Sequence, residues 1–244
     1  MLVIYENDRF LVVDKPANLL IHPTKPGGPS TLWDELRKFL AFEIINGGQV
    51  SIVNRLDRET SGLVLVAKST ETARALGQLL QRHQIRKLYQ TIVRGWPDKD
   101  QFSVDQPLLR QGSVMPTKIW LKQTVHPSGY PALTSFRVLQ RFTRDDTQFA
   151  LIEAEPKSGR THQIRVHLSH IGYPVVGDKI YGPDENCYLE FIASDWNPEL
   201  ESKLLLPRQA LHASGLEFAL ERHPFSFSAP LPQDMREFLP EREC

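Results

Sequence analysis

The chain has 244 residues, 41% of them hydrophobic, enough for one large or two small domains with a real core. Its formal net charge is zero, unlike that of a strongly cationic nucleic-acid binder, and its two cysteines, Cys187 and Cys244, exclude a disulfide framework and a CxxC metal motif. No apolar run approaches the ~20 residues that span a bilayer, and MLVIYENDRF has no basic region ahead of an apolar one, so a cytoplasmic protein is expected.

Leu2–Tyr5 and Phe10–Asp14 are short apolar runs around a polar turn at Glu6–Arg9. They predict a hairpin that ends at Lys15–Pro16, since proline cannot continue a ladder. His22–Pro29 is rich in Pro and Gly and predicts a loop, with His22 a loop or core histidine. Ser30 or Thr31 then caps a helix to about Ile45, with Leu32, Leu36, Phe39 and Leu40 on its apolar face and Gly47–Gly48 behind it. Leu63–Ala67 is a short Val/Leu run bounded by Gly62 and Lys68, the pattern of a buried strand. Ser69 caps a second helix whose stripe is Ala73, Leu76, Leu79 and Leu80. Arg74, Arg82 and Arg86 lie off that stripe, where they meet solvent or phosphate. Lys87–Gly95 alternates as a strand, with Tyr89, Thr91 and Val93 on one side.

Phe102–Ala154 reads as β-rich. Val114–Lys122, Thr134–Gln140 and Gln148–Glu155 are its candidate strands, and His126–Ala132 is a turn. Thr161–Ile171 fits both periods, but eleven residues ending at Gly172 favour a helix, with Ile164, Leu168 and Ile171 on one side and His162, Arg165 and Ser169 opposite. Its N-terminus follows Gly159–Arg160 and suits an anion. His162, His167 and His170 lack an HExxH spacing and have no nearby cysteine, so no metal site is read there. Gly177–Gly182 is a turn, and the acidic segment after it reads as an irregular insertion. Gln209–Leu220 is a last strand, with Pro224, Pro230 and Pro232 keeping the tail irregular until a short helix near Asp234–Phe238.

Charge is distributed unevenly. Asn54–Arg94 holds eight Lys/Arg against three Asp/Glu, a net +5, whereas Asp184–Glu201 holds six acids and no Lys or Arg. One part of the protein can therefore face phosphate while another repels it. Within the basic stretch, Asp57 stands between Arg55 and Arg58 and is followed by Thr60, Ser61 and Gly62. The arginines favour an ionised Asp57. A charged loop leading into a buried strand is a rigid mount for a reactive group, although a surface salt-bridge loop has the same composition.

The whole stretch VNRLDRETSGLVLVAKS resembles the signature of the RluA-type pseudouridine synthases. So do KPANLLIHP at Lys15–Pro23, KLYQTIVRG at Lys87–Gly95, SGRTHQIRVHLSHIGYPVVGDKIYG at Ser158–Gly182 and LHASGLEF at Leu211–Phe218, in that family's order. One departure is Asn54, where the family usually has His. The resemblance implies an α+β fold: one pseudouridine synthase catalytic domain over residues 1–244, a bent, mostly antiparallel β-sheet with surrounding helices and loops and a central cleft. No extra N-terminal RNA-binding domain of the kind some relatives have is expected. It implies conversion of uridine to pseudouridine in ribosomal or transfer RNA, with the uridine flipped from a loop or stem-loop and with no cofactor or metal. By the same resemblance Asp57 is the catalytic carboxylate, as nucleophile or as base, Arg165 orients it and Tyr89 faces the uracil. Arg55, Arg58, Arg82, Arg86, Lys87, Arg160 and His162 are the expected RNA contacts, and a monomer is expected. The two rivals are a non-catalytic RNA binder on the same fold and a hydrolase with a nucleophilic aspartate. The first would be expected to have lost Asp57, Tyr89 or Arg165, and the second lacks a water-activating partner.

Overall fold

The computed structural model describes residues 1–25 and 27–240; Pro26, inside the loop read at His22–Pro29, and Cys244 lie outside the described residues. In chain order the first elements are β1 (Leu2–Glu6), β2 (Phe10–Lys15), α1 (Leu32–Phe39), α2 (Ala41–Ile45), β3 (Ser51–Ile52), β4 (Ser61–Ala67) and α3 (Thr70–Gln81). Then come β5 (Arg86–Arg94), β6 (Gln101–Asp105), β7 (Leu108–Arg110), β8 (Gln123–Val125), β9 (Leu133–Arg144), β10 (Thr147–Pro156) and α4 (Gln163–His170). The last are α5 (Asn186–Ser194), α6 (Pro198–Leu204), β11 (Leu211–Leu220), β12 (His223–Ser228) and α7 (Gln233–Phe238). The fold is α+β with mostly antiparallel pairing, and the chain forms two units: Met1–Lys87 with His212–Pro230, and Leu88–Leu211 with the segment from Leu231. No helix among the described residues is long and apolar enough to cross a membrane.

In the first unit β4 is the central strand. It pairs antiparallel with β2 along one edge, and its other edge is shared by β11, in parallel, and β3. All seven of its residues are buried, which is why it reads as a continuous apolar run and not an alternating one. Leu63, Leu65 and Ala67 join Phe10, Leu76, Leu216 and Phe218 in one core, and α3 packs on the strand through Leu76. Ser69 caps α3 by accepting from Thr72 N. Thr31 caps α1 in a reciprocal box with Asp34. The helix expected to run to Ile45 breaks at Leu40, so Leu32, Leu36 and Leu40 turn inward while Phe39 is 48% exposed.

β12 overturns the expectation of an irregular tail after Leu220. Glu221 and Arg222 both take positive φ, 51° and 70°, the geometry of a two-residue hairpin turn. Arg9 forks onto the Glu221 carboxylate at 2.7 and 2.8 Å beside that turn. Pro224 is tolerated because β12 pairs with β11 alone, and its missing N–H can face outward. Phe225 stands edge-on to Phe10 at 4.9 Å and stacks on Phe218.

In the second unit β5, β10, β9 and β6 follow one another antiparallel, with β7–β8 as a separate pair. Val114–Lys122 is not a strand. Pro116 removes a ladder donor, and the segment becomes a loop that drops Ile119 into a core with Leu108, Val166 and Tyr181. The acidic segment expected to be irregular holds α5 and α6. Asn197 caps α6 with Pro198 at its first position, and Cys187, Leu200 and Leu204 bury together against Phe191 and Trp196.

Gly62 sits at φ 113°, where β4 meets β11, and a Cβ there would lie 2.6 Å from Ala213 N and closer still to its carbonyl oxygen. Gly62→Ala should therefore lower stability by about 2–4 kcal/mol, since both overpacking and positive φ oppose it. Urea denaturation of the purified variant checks this, and a midpoint equal to wild type would show that the two strands can separate without cost.

Candidate functional site

The Asp57 loop lies in the first unit, between β3 and β4. Beyond β3 the pairing along the β4 edge is continued by Val53 N, which donates to Leu65 O at 2.8 Å, and then by the Asn54 side chain. The Asn54 amide donates to Leu63 O at 3.1 Å, and its carbonyl accepts from Leu65 N at 2.8 Å. A buried side-chain amide thus takes the place of a peptide group. An imidazole also offers one donor and one acceptor, so Asn54 meets this local requirement where the resembling family usually has His.

Lys15, wholly buried at the end of β2, holds the loop from its other side. Its ammonium donates to Pro16 O and Leu19 O at 2.9 Å and to Arg58 O at 3.2 Å. Thr60 N closes the turn onto Asp57 O, and Leu56 is buried beneath it. Asp57 itself is half-buried, with Arg55 and Arg58 exposed on either side. His22, an exposed loop residue, is held below its ordinary pKa by partial burial and by the charge of Arg55. At the start of β4, Ser61 Oγ bonds His212 Nδ1 at 2.9 Å, which joins the LDRETSG and LHASGLEF segments directly. Of the expected RNA contacts in this unit, Arg82 is exposed at the end of α3. Arg86 is ion-paired with Glu217 at 3.0 Å. Lys87 is half-buried, and that burial lowers its pKa.

The second unit carries Tyr89, Arg160, His162 and Arg165. Tyr89 is buried in β5, opposite Ala154 of β10. Arg165, read from sequence as lying on the polar side of its helix, is only 4% exposed. Its Nε and Nη2 form a fork on Asp178, at 2.6 and 2.8 Å. Asp178 is fully buried and also accepts from the backbone N–H groups of Ile180 and Tyr181 at 3.0 Å. Burial alone would raise its pKa; the Arg165 charge, the fork and the two amides outweigh that and hold it below the usual carboxylate value. The Arg165 guanidinium lies 5.0 Å from the Tyr181 ring, whose hydroxyl bonds His162 Nδ1 and accepts from Gln123 N, each at 2.8 Å. Arg160 is exposed, packs on Tyr130 and donates to Pro131 O.

Helix α4 is thus buried nearly all round, and its polar side chains are satisfied one by one. The Gln163 carbonyl accepts from Ser158 Oγ and Arg160 N, while its amide donates to Leu133 O and Thr134 Oγ1. His167 Nε2 lies 3.0 Å from Gln106 O and so carries the proton; Nδ1 accepts from Thr134 Oγ1 at 2.9 Å. Burial lowers the pKa of His167, and the neutral ring suits this chain of bonds. The three histidines of the segment do not converge, since His162 and His167 are each committed to other partners.

Sequence reading did not single out Lys15, Asp178 or Tyr181, and it weighed His167 only as a metal ligand. The signal for Asp178 was an acid inside a Gly-flanked turn. Gly177 has φ 76°, and a Cβ there would meet the Arg208 carbonyl carbon at 2.7 Å, so the turn lies hard against the chain after α6.

The chain matches the family described as RNA pseudouridylate synthase over residues 9–170. It is 36% identical over 245 residues to a ribosomal large subunit pseudouridine synthase D of Nitrosomonas europaea, covering 97% of this chain and 64% of that protein. It is 38% identical to an uncharacterized RNA pseudouridine synthase of Chloroflexus aurantiacus, covering 91% of this chain and 63% of that one. The chain therefore spans a little under two thirds of these relatives' lengths. Among solved structures, the human RNA pseudouridylate synthase domain containing 4 superposes with a TM-score of 0.73 at 23% identity, over 96% of this chain and 90% of that one, a likeness of fold.

Two outcomes are expected from the second unit. Asp178→Asn removes the charge that balances a buried guanidinium and should cost about 3–5 kcal/mol in denaturant unfolding; a loss under 1 kcal/mol would show the fork to be dispensable. His167 is held below the ordinary histidine value of about 6.5. Its contribution is thus complete above that pH and is lost as pH falls toward the folded pKa, by at most about 1.4 kcal/mol per pH unit for one proton. Melting temperature measured from pH 7 to 5 should fall more steeply for wild type than for His167→Gln.

Proposed function

The chain belongs to the RNA pseudouridylate synthase family, and from that premise we propose that it isomerises uridine in RNA to pseudouridine. The bond between the ribose carbon and the base nitrogen breaks, a carbon–carbon bond forms in its place, and the proton displaced from the base carbon is balanced by one gained at nitrogen. Atoms and electrons are conserved, so the step calls for no oxidant or reductant. What carries the reading is the mount of Asp57: a carboxylate on a loop clamped by Asn54 on one side and Lys15 on the other. It leads into a wholly buried strand and lies within the span that matches the family.

A carboxylate at the ribose or base must be fixed to a few tenths of an ångström to act as nucleophile or as base. We assign that part to Asp57, with Tyr89 against the uracil and Arg165 as the arginine that orients the carboxylate, following the family motifs. The Asp178 fork supports the Arg165 assignment, because it fixes the guanidinium through Nε and Nη2. Arg55, Arg58 and Arg82 are exposed and, with Arg160 and His162, are the residues we assign to the RNA backbone. Lys87 and Arg86 rank below them, given the burial of the first and the Glu217 pairing of the second. Ribosomal RNA is the first substrate to test, since the Nitrosomonas europaea relative is named a ribosomal large subunit pseudouridine synthase. We place the whole chain in one catalytic domain acting as a monomer in the cytoplasm.

Asp57→Asn keeps shape and removes the reactive oxygen. Pseudouridine formed in ribosomal RNA, read by base composition after incubation, should fall by orders of magnitude. RNA affinity at matched salt should hold or rise slightly, because Asp57 repels phosphate. Circular dichroism establishes that the variant is folded; a folded Asp57→Asn protein working near the wild-type rate would remove Asp57 from the chemistry.

A further inference from the structure

From Gln106 to Arg144 the chain carries six Lys/Arg and no Asp or Glu, a run of net +6 in a protein of net zero. Four of these cations are ion-paired with acids outside the run, Lys122 with Glu185, Arg137 with Glu153, Arg141 with Asp100 and Arg144 with Asp145. Among the described residues Arg110 has no ion-pair partner; its guanidinium instead lies 3.7 Å from the centre of the Trp120 ring. Trp120 is 73% exposed. That exposure is built in. The preceding residue, Ile119, is 2% exposed in the core with Leu108 and Tyr181, and its carbonyl accepts from Lys122 N, so the turn holds Trp120 outward. Arg110 is fixed in β7, opposite Gln123 of β8.

Leaving an indole in water forgoes about 1.5–3 kcal/mol of burial or more, and Leu121 beside it is also 51% exposed, so the two form an apolar patch open to a ligand. With Arg110 on one face, its other face is open to stack a planar group. The guanidinium edge, with no carboxylate to neutralise it, is suited to a phosphate. A flat apolar face beside an uncompensated cation, in a run without acids, matches a nucleotide. We propose that the Arg110–Trp120 stack takes an unpaired RNA nucleotide, base on the indole and phosphate on Arg110, as a contact additional to the Asp57 region; this rests on the RNA reading above.

The test titrates wild type, Trp120→Ala, Trp120→Phe and Arg110→Ala with a labelled single-stranded oligouridine across a salt series, beside pseudouridine formation by wild type on ribosomal RNA. Trp120→Ala should weaken binding about tenfold with an unchanged salt slope, and Trp120→Phe should restore most of it. Arg110→Ala should weaken binding and reduce the slope by about 0.7. Equal affinities of wild type and Trp120→Ala, no binding by wild type, or a change confined to self-association in sedimentation each overturn the proposal. Equal affinities with pseudouridine formed overturn the stack and leave the activity standing. Binding that depends on Trp120 with no pseudouridine formed overturns the activity and leaves the stack.

Discussion

A guanidinium taken out of water must be neutralised where it sits, and the fork between Arg165 and Asp178 imposes that condition on the second unit. Asp178 can meet Arg165 only from a turn that also aims the Ile180 and Tyr181 amides at it. The turn can lie where it does only because Gly177 lets it press on the chain after α6. That chain is held in turn by Lys179, which donates to Pro207 O at 2.6 Å and lies over the Phe191 ring. Arg208, also buried, forks onto Asp234 at 2.6 and 2.8 Å and so anchors α7. Three buried cations, Arg165, Lys179 and Arg208, thus hold a turn, the chain after α6 and the C-terminal helix.

The first unit solves a related problem without a buried carboxylate. Its central strand is apolar throughout, so the polar groups of the adjoining loop must be satisfied by side chains that reach in. Asn54 does so as a surrogate peptide and Lys15 as a cation shared by carbonyls, one of them on Arg58, next to Asp57. Neither residue need touch a substrate. Their effect is to hold the chain on both sides of one half-buried carboxylate, which is the form that precise positioning takes in a loop.

The zero net charge conceals a division of labour. The acids after Asp184 are largely consumed locally: Asp184 bonds Asn186, and Glu190 and Glu199 share Lys203. The basic excess is divided between the Asp57 stretch and the run from Gln106 to Arg144. Pairing decides which cations in each remain available. It removes Arg86 to Glu217 and leaves Arg82 exposed, a distinction that position along the chain cannot make.

Local chemistry settled a good deal by itself. The Phe10 and Leu63 runs had to be buried strands because they are short, branched and apolar; Ser30 or Thr31, and Ser69, had to start helices because each offers an oxygen to orphan amides; and the Asp57 stretch stood out by its resemblance to a family signature. Where the sequence misled, a long-range partner outweighed a local cue. β12 forms although Glu221–Arg222 lacks a Gly or Asn turn signal, because Arg9 lies across from it and Phe10 awaits its aromatic rings. Pro116 broke an apparent strand so that Ile119 could reach a core supplied in part by Ile180 and Tyr181, far along the chain. Arg165 looked like part of the polar face of a helix, because periodicity records which residues are polar and not whether Asp178 will be there to receive them. The sequence by itself determined the family and the elements with local caps; only the tertiary structure decided which charges are buried, since burial of a charge depends on a partner brought from elsewhere in the chain.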